Sequence, residues 1–491
     1  MNETIVSITP LLALLAPAIA VPLIWLSGKQ PNLREFWSYL AAFVMFALVA
    51  SMAPLILKGA TVEYHLFTVL PGIDFKLKVD ALGYLFAFTA SFLWIIATTY
   101  SIGYMRSLNE HAQTRYFACF AIALFSALGV AFSSNLFTLY LFYEVLSIMT
   151  YPLVAHHEDA DAWEGSKKYM IYLVGLSKTA LLAAVVITYM TTGTLDFQEG
   201  GIFTTGMPSA LVILSFILFL MGFAKAGIMP FHNWLPSAMV APTPVSGLLH
   251  AVAVVKVGVF SVVRVMLHIY GVDVMSHFNL GIPTAFYVSF TILAASTIAL
   301  TKDDLKARLA YSTVSQLSYV ILGVALLNPA GITGGVLHIA NHAFSKITLF
   351  FCAGSIYVAS HIKKISKLNG IAKKMPYTMA AFTVGALSMI GVPAVAGFTS
   401  KWYLAVGTLD AHSVPLLAVL LVSSILNAGY FMPIIFRAYF KKPDNEKDLD
   451  GVTEASPFVW VPLSITAAIS VFIGIYPDFF LAIIHHIVGP E

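Results

Sequence analysis

Apolar residues fill long runs along almost the whole chain, and polar residues gather in the short intervals between them. A helix that crosses about 30 Å of hydrocarbon needs about 20 such residues. The pattern predicts about fourteen spans, at 5–26, 34–57, 80–104, 114–131, 134–155, 166–190, 209–239, 243–270, 281–300, 305–326, 331–360, 377–408, 412–437 and 457–485. Two of them are too long for one straight crossing. The seventh, at 31 residues, makes a helix of about 46 Å. It contains Pro230 and Pro236. The twelfth contains Pro393 beside Gly391 and Gly397. Both are expected to be interrupted helices, which at membrane depth are tolerated only against protein or a wet cavity. The eleventh is also long, without proline.

The fold class predicted is therefore an all-α polytopic membrane protein. Composition agrees: 59% of residues are hydrophobic, 10% are charged, and the mean hydropathy is +0.85. Soluble domains carry about 25% charged residues. No mixed-composition stretch is long enough to hold a soluble domain, and the net charge of +3 gives no case for nucleic acid. Cys119 and Cys352 lie in apolar runs and are expected to be buried thiols, not a disulfide or metal pair. The first apolar run lacks a basic flank and is too long for a cleavable signal, so none is expected.

Lysine and arginine set the orientation. Loops after odd-numbered spans hold Lys29, Arg34, Arg106, Arg115, Lys167, Lys168, Lys302, Lys306, Arg308, Lys363, Lys364, Lys367, Lys373, Lys374, Lys441, Lys442 and Lys447. Loops after even-numbered spans hold only Lys58, Lys76 and Lys78. Odd loops are thus expected in the cytoplasm and both termini outside. Arg264 and Arg437, near span ends, are expected to snorkel.

That leaves Lys178, Lys225, Lys256, Lys346 and Lys401 at bilayer depth, with Glu144 the one carboxylate equally deep. Ionisable groups there are expensive and usually line a polar path. The stretch 221–260 concentrates them: Lys225 and Lys256 flank Pro230, Pro236, Pro242 and Pro244, with His232 and His250. It reads as half of a proton path. Glu144 is an expected ionisable partner for Lys225, and opening that pair would swing the lysine between holding and releasing a proton. His250 precedes Lys256 by six residues, about 9 Å along a helix, and suits a relay between the lysines. His338, His342 and Lys346, at i, i+4 and i+8, share one helical face. With no acidic or thiol ligand beside them, metal binding is not expected. The seventh and twelfth spans carry the same kit, a lysine and a proline break, five spans apart. A five-span unit must repeat upside down, as in transporters built from inverted repeats.

The chain has no G-x-x-x-x-G-K-[ST], no CxxCH, no cysteine set for an iron–sulfur cluster and no Rossmann glycine run. No cofactor and no active site of its own are expected; redox chemistry coupled to this chain would occur on another.

The run KAGIMPFHNWLPSAMVAPTPVSGLLHAVAVVKVGVF (225–260) resembles the signature of the antiporter-like membrane subunits of Mrp-type sodium/proton antiporters, respiratory complex I and membrane-bound hydrogenases. So do FYEVLSIMTYPLV, DDLKARLAYSTVSQLSYV (303–320), HIANHAFSKITLFFCAG (338–354), ISKLNGIAKKMP (365–376) and GVPAVAGFTSKWYL (391–404). The resemblance covers roughly residues 80–440. It implies fourteen helices, with N-terminal helices in 1–113, inverted repeats in 114–270 and 281–440, and a last loop and helix in 441–491. It implies that Glu144 and Lys225 form a modulating ion pair and that His250 and Lys256 belong to the connecting eighth helix. His338, His342 and Lys346 would be the eleventh-helix relay, and Lys401 the terminal lysine. Lys178 departs from the pattern, where small residues are usual. The expected function is proton translocation within an Mrp-type antiporter, the chain being most similar to the D type. The alternatives are a pumping subunit of a redox-driven complex and, ranked low, a scaffold without transport. Expected partners are other membrane subunits, protons and Na+, in a bacterial or archaeal inner membrane.

Overall fold

A computed structural model of the chain describes residues 3–70, 72–443 and 449–489. Lys447, counted above among the basic loop residues, lies outside them, as do the terminal residues. Among the described residues eleven helices are long and apolar enough to cross a membrane. They match spans one to six, eight, nine, eleven, thirteen and fourteen of the sequence pattern. The tenth is Leu305–Ala325. The seventh and twelfth are broken, as their length and prolines require. The seventh runs Ser209–Gly222, turns through Ala224–Ala226, and resumes only as short turns at Trp234–Ser237 and Ala238–Val240. The twelfth runs Pro376–Ile390, breaks, and resumes at Ala396–Asp410.

Three features depart from the pattern. The first is a small sheet outside the spans. Strand β1 (Thr4–Val6) pairs in parallel with β2 (Thr61–Leu70), which pairs antiparallel with β3 (Ile73–Val79). The first even-numbered loop is thus a hairpin, and its lysines have a local reason: Lys76 sits 2.5 Å and Lys78 4.0 Å from Glu63 across the strands. The second is the fourteenth span, which is not one helix. Pro457–Ile475 ends at Tyr476, and Asp478–Val488 follows as a separate piece. Pro477 lacks the N–H that a continuing helix needs. The third concerns Arg264, which does not snorkel. It is 1% exposed and its guanidinium grips Asp80 with both terminal nitrogens. Asp80 caps the third span, Ala81–Ser107, from just outside its first turn, accepting from the Gly83 N–H at 2.8 Å. Arg437, at the end of the thirteenth span, bonds instead to the loop below it, 3.3 Å from Asn369 Oδ1.

The eleventh span, Pro329–Ser360, is the axis of the molecule. It is buried on every side from Gly331 to Ile356, barring Thr333. A helix enclosed all round this way serves as core. The eighth, Thr243–His277, is almost as enclosed and crosses the break of the seventh at backbone distance. A Cβ at Gly258 would fall 2.2 Å from the Ala226 nitrogen, so only glycine lets this helix lie on the break. Both cysteines are free and buried.

Candidate functional site

The breaks place the lysines. The seventh span stops at Gly222, and the 3-10 turn Ala224–Ala226 turns Lys225 inward. Its side chain is fully buried. Nζ donates to the Tyr143 carbonyl at 3.0 Å and to Ser147 Oγ at 2.5 Å, and lies 3.2 Å from the centre of the Tyr143 ring. All of these belong to the fifth span, Leu136–Val154. Glu144 is on the same helix but not in contact with Lys225. Its half-buried carboxylate has no hydrogen-bond partner among the described residues. Helix geometry explains the gap. Tyr143 and Ser147 face inward, whereas Glu144 lies between the outward residues Leu141 and Ile148, which are 37% and 45% exposed. The expected ion pair is open here.

The eighth span is π-helical over Leu248–Val252, and His250 sits in that segment. Such bulges re-aim side chains and recur at functional sites. His250 is fully buried, makes no hydrogen bond, and packs on the Phe350 ring at 4.8 Å. Lys256 was expected to work with His250; its direct partner is His342, at 2.8 Å from Nζ to Nδ1. The six-residue spacing put His250 and Lys256 on one helix, but the bulge and the neighbouring eleventh span decide what each one meets.

His338, His342 and Lys346 share the buried face that their spacing predicts, and each reaches a different neighbour. His338 Nδ1 lies 2.8 Å from Ser400 Oγ on the twelfth span, and Nε2 lies 3.0 Å from Gln316 Oε1 on the tenth. The His338 and His342 rings are 5.9 Å apart. Lys346 Nζ donates to Ser312 Oγ at 2.8 Å. Ser312 also accepts from the Tyr430 hydroxyl at 3.0 Å, and that hydroxyl is bonded to Asn427 Oδ1. The Asn427 amide donates to the Met389 carbonyl at 3.1 Å. Lys401 Nζ donates to the same carbonyl at 2.7 Å and to that of Ile390 at 2.9 Å. A polar file therefore runs from Lys346 to Lys401 through Ser312, Tyr430, Asn427 and the end of a broken helix.

Lys401 is placed by that break. The half-helix Pro376–Ile390 ends inside the protein with carbonyls that no following turn can satisfy, and they carry the negative end of its dipole. The ammonium caps them. Gly391, at φ +95°, lets the lysine stem pass, since a Cβ there would lie 2.7 Å from Lys401 Cδ. Lys178 is different. It is exposed, in the π-helical segment Ser177–Leu181 of the sixth span, Ala160–Thr192. Ser147, Ser312, Gln316, Tyr143, Asn427 and Tyr430 were not singled out from sequence. Polar but common residue types, they carry no spacing signal that separates them from other helix residues.

A bundle of about fourteen spans, two of them broken and lined by buried lysines and histidines, defines an antiporter-like membrane protein. Residues 133–427 match the family model described as NADH:quinone oxidoreductase/Mrp antiporter, TM, and the chain belongs to that family. All eight candidate residues fall within the match. NADH-quinone oxidoreductase subunit N of Desulforudis audaxviator is 32% identical over 441 residues, covering 89% of this chain and 86% of that protein. The K(+)/H(+) antiporter protein of Rhizobium meliloti, a fused A/B polypeptide by its description, is 29% identical over 465 residues, covering 92% of this chain but 45% of that one. A chain of the Mrp complex from Dietzia sp. DQ12-45-1b superposes with a TM-score of 0.88 at 21% identity, covering 98% of this chain and 96% of its own. A chain of the membrane-bound sulfane sulfur reductase, an archaeal respiratory membrane complex, does so with 0.88 at 22% identity, covering 98% of each.

Proposed function

We propose that this chain translocates protons through Lys225, Lys256, His342, His338, Lys346 and Lys401, with His250 beside the file and Glu144 modulating Lys225. The observation that carries the proposal is the hydrogen-bonded file between the two broken helices. Each group in it can hold or pass a proton, and the file begins and ends where helix breaks open the backbone. The chain works as one subunit of an Mrp-type cation/proton antiporter, exchanging protons for a monovalent cation such as Na+. A lysine at 401 and the likeness to antiporter proteins support that reading. The second reading, a pumping subunit of a redox-driven complex, is favoured by the likeness to an NADH-quinone oxidoreductase subunit.

Lys178 supports assembly with other membrane subunits. It lies near the middle of a 33-residue span and on its exposed face, with apolar Ile171, Leu182 and Val186 exposed around it. A lysine facing lipid at the helix centre costs about 2.5–3.5 kcal/mol on insertion scales. A neighbouring subunit that covers this face and offers a carboxylate removes that cost.

The test is Lys225→Ala in the intact complex, reconstituted into vesicles. Proton transport is expected to vanish while subunit composition stays unchanged. Undiminished transport overturns the mechanism. Iron–sulfur, nickel or flavin subunits co-purifying with the chain would select the redox-driven reading.

A further inference from the structure

Two short turns meet on the side of the molecule that carries the basic loops. One joins the third span to the fourth and carries Glu110 and His111. The other joins the fifth to the sixth and carries His156 and His157. Glu110, His111 and His156 each bring one potential ligand atom to within 4.8 Å of the others. His156 Nε2 and His157 Nδ1 both stand 3.7 Å from Glu110 Oε2. The His111 and His156 rings are 4.8 Å apart.

His156 points beyond a surface cluster. It is fully buried, and neither of its ring nitrogens has a hydrogen-bond partner. Buried polar atoms are almost always satisfied, so an imidazole held this way beside a carboxylate and a second imidazole is arranged for a shared ligand. Both turns are fixed in place. The Glu110 N–H donates to the Met105 carbonyl at 3.0 Å, and Gln113 Nε2 donates to the Glu110 carbonyl at 3.0 Å. Arg115 donates to the His156 carbonyl at 3.2 Å and pairs with Glu158.

We propose that Glu110, His111 and His156, with His157 as a fourth ligand, form a binding site for a divalent transition metal of the zinc class. Imidazole nitrogen with one carboxylate oxygen is a donor set that Zn(II) takes. Ligand atoms about 2.0–2.2 Å from the metal in a tetrahedron stand about 3.3 Å apart. The 3.7 Å separations here need little adjustment, and His111, exposed on its turn, supplies the movement. Calcium or magnesium would instead call for an all-oxygen shell. The metal would tie the third–fourth turn to the fifth–sixth turn at the rim of a polar cavity of about 800 Å³, which Glu110 and His157 line together with Asp159, Asp304 and Lys306. Its charge would sit at the mouth of that cavity.

The test is calorimetric titration of zinc chloride into the full chain, within its complex, in mild detergent. One zinc per chain is expected. His111→Gln changes an exposed side chain, so it leaves the fold intact, and it is expected to weaken binding at least tenfold. His156→Gln is expected to abolish it. Zinc should raise the melting temperature of the wild type and not that of His111→Gln. No zinc uptake by the wild type, or unchanged affinity in both variants, overturns the site. The readout does not depend on transport, so it stands or falls separately from the proton file.

Discussion

Lys256 and His342 meet at 2.8 Å, Nζ to Nδ1, from the eighth and eleventh spans, with 1% and 0% of their surfaces exposed. Two such groups cannot both carry a full charge at this distance in a dry core. One hydrogen bond joins them, and a proton arriving on either is shared with the other. Lys256→Ala and His342→Ala are each expected to slow proton transport by at least about tenfold, the lower range for loss of a proton-transfer group. Because the two act as one unit, the double variant should be no slower than the worse single. Initial rates of pH change in reconstituted vesicles measure this; losses that multiply would show that the two act separately.

The Tyr430 hydroxyl is the middle of the file between Lys346 and Lys401. Tyr430→Phe keeps the buried ring and removes only that link. Transport should fall several-fold, while melting temperature changes by no more than the loss of about 1 kcal/mol per hydrogen bond allows. Full transport in this variant would mean that protons bypass Tyr430.

The Asp80–Arg264 pair holds the start of the third span to the eighth. Burial opposes ionisation of Asp80, but the charge and hydrogen bonds of Arg264 outweigh it and hold the carboxyl well below the usual carboxylate range. A depressed folded value means stability that is present above the unfolded value of about 3.9 and is lost as pH falls through the folded one. Melting temperature should therefore drop as the pH is lowered beneath about 4. In Asp80→Asn that acid-dependent part should be missing, and stability at neutral pH should be lower by about 3–5 kcal/mol, because Arg264 stays buried without a partner. An unchanged acid limb in Asp80→Asn would remove Asp80 from the account.

Lys178→Leu removes an ammonium from an exposed mid-span face. Native mass spectrometry of the purified complex is expected to show loss of the subunit that covers this face, with the isolated chain no less stable than before. Retention of every subunit would place the interface elsewhere.

The span pattern, the two breaks and the eight residues were legible in the sequence because each is a local departure from apolar periodicity. A lysine inside a membrane run stands out against its neighbours, and so does a proline in a run too long for one crossing. His338, His342 and Lys346 were legible as a set because i, i+4 and i+8 fix a shared face whatever surrounds it.

Partnership was not legible. The sequence put Glu144 against Lys225, His250 with Lys256, and Arg264 at the lipid interface. The structure turns Glu144 outward by one helical step, gives Lys256 to His342 on another helix, and buries Arg264 on Asp80, 184 positions away. Which side chain lies across a helix interface depends on how helices cross, on a π-bulge that rotates His250, and on Gly258 admitting one backbone onto another. The composition and periodicity of this chain determined that it crosses the membrane many times with charge inside. Only tertiary packing decided which charges touch, because contact distance depends on helices that the sequence places far apart.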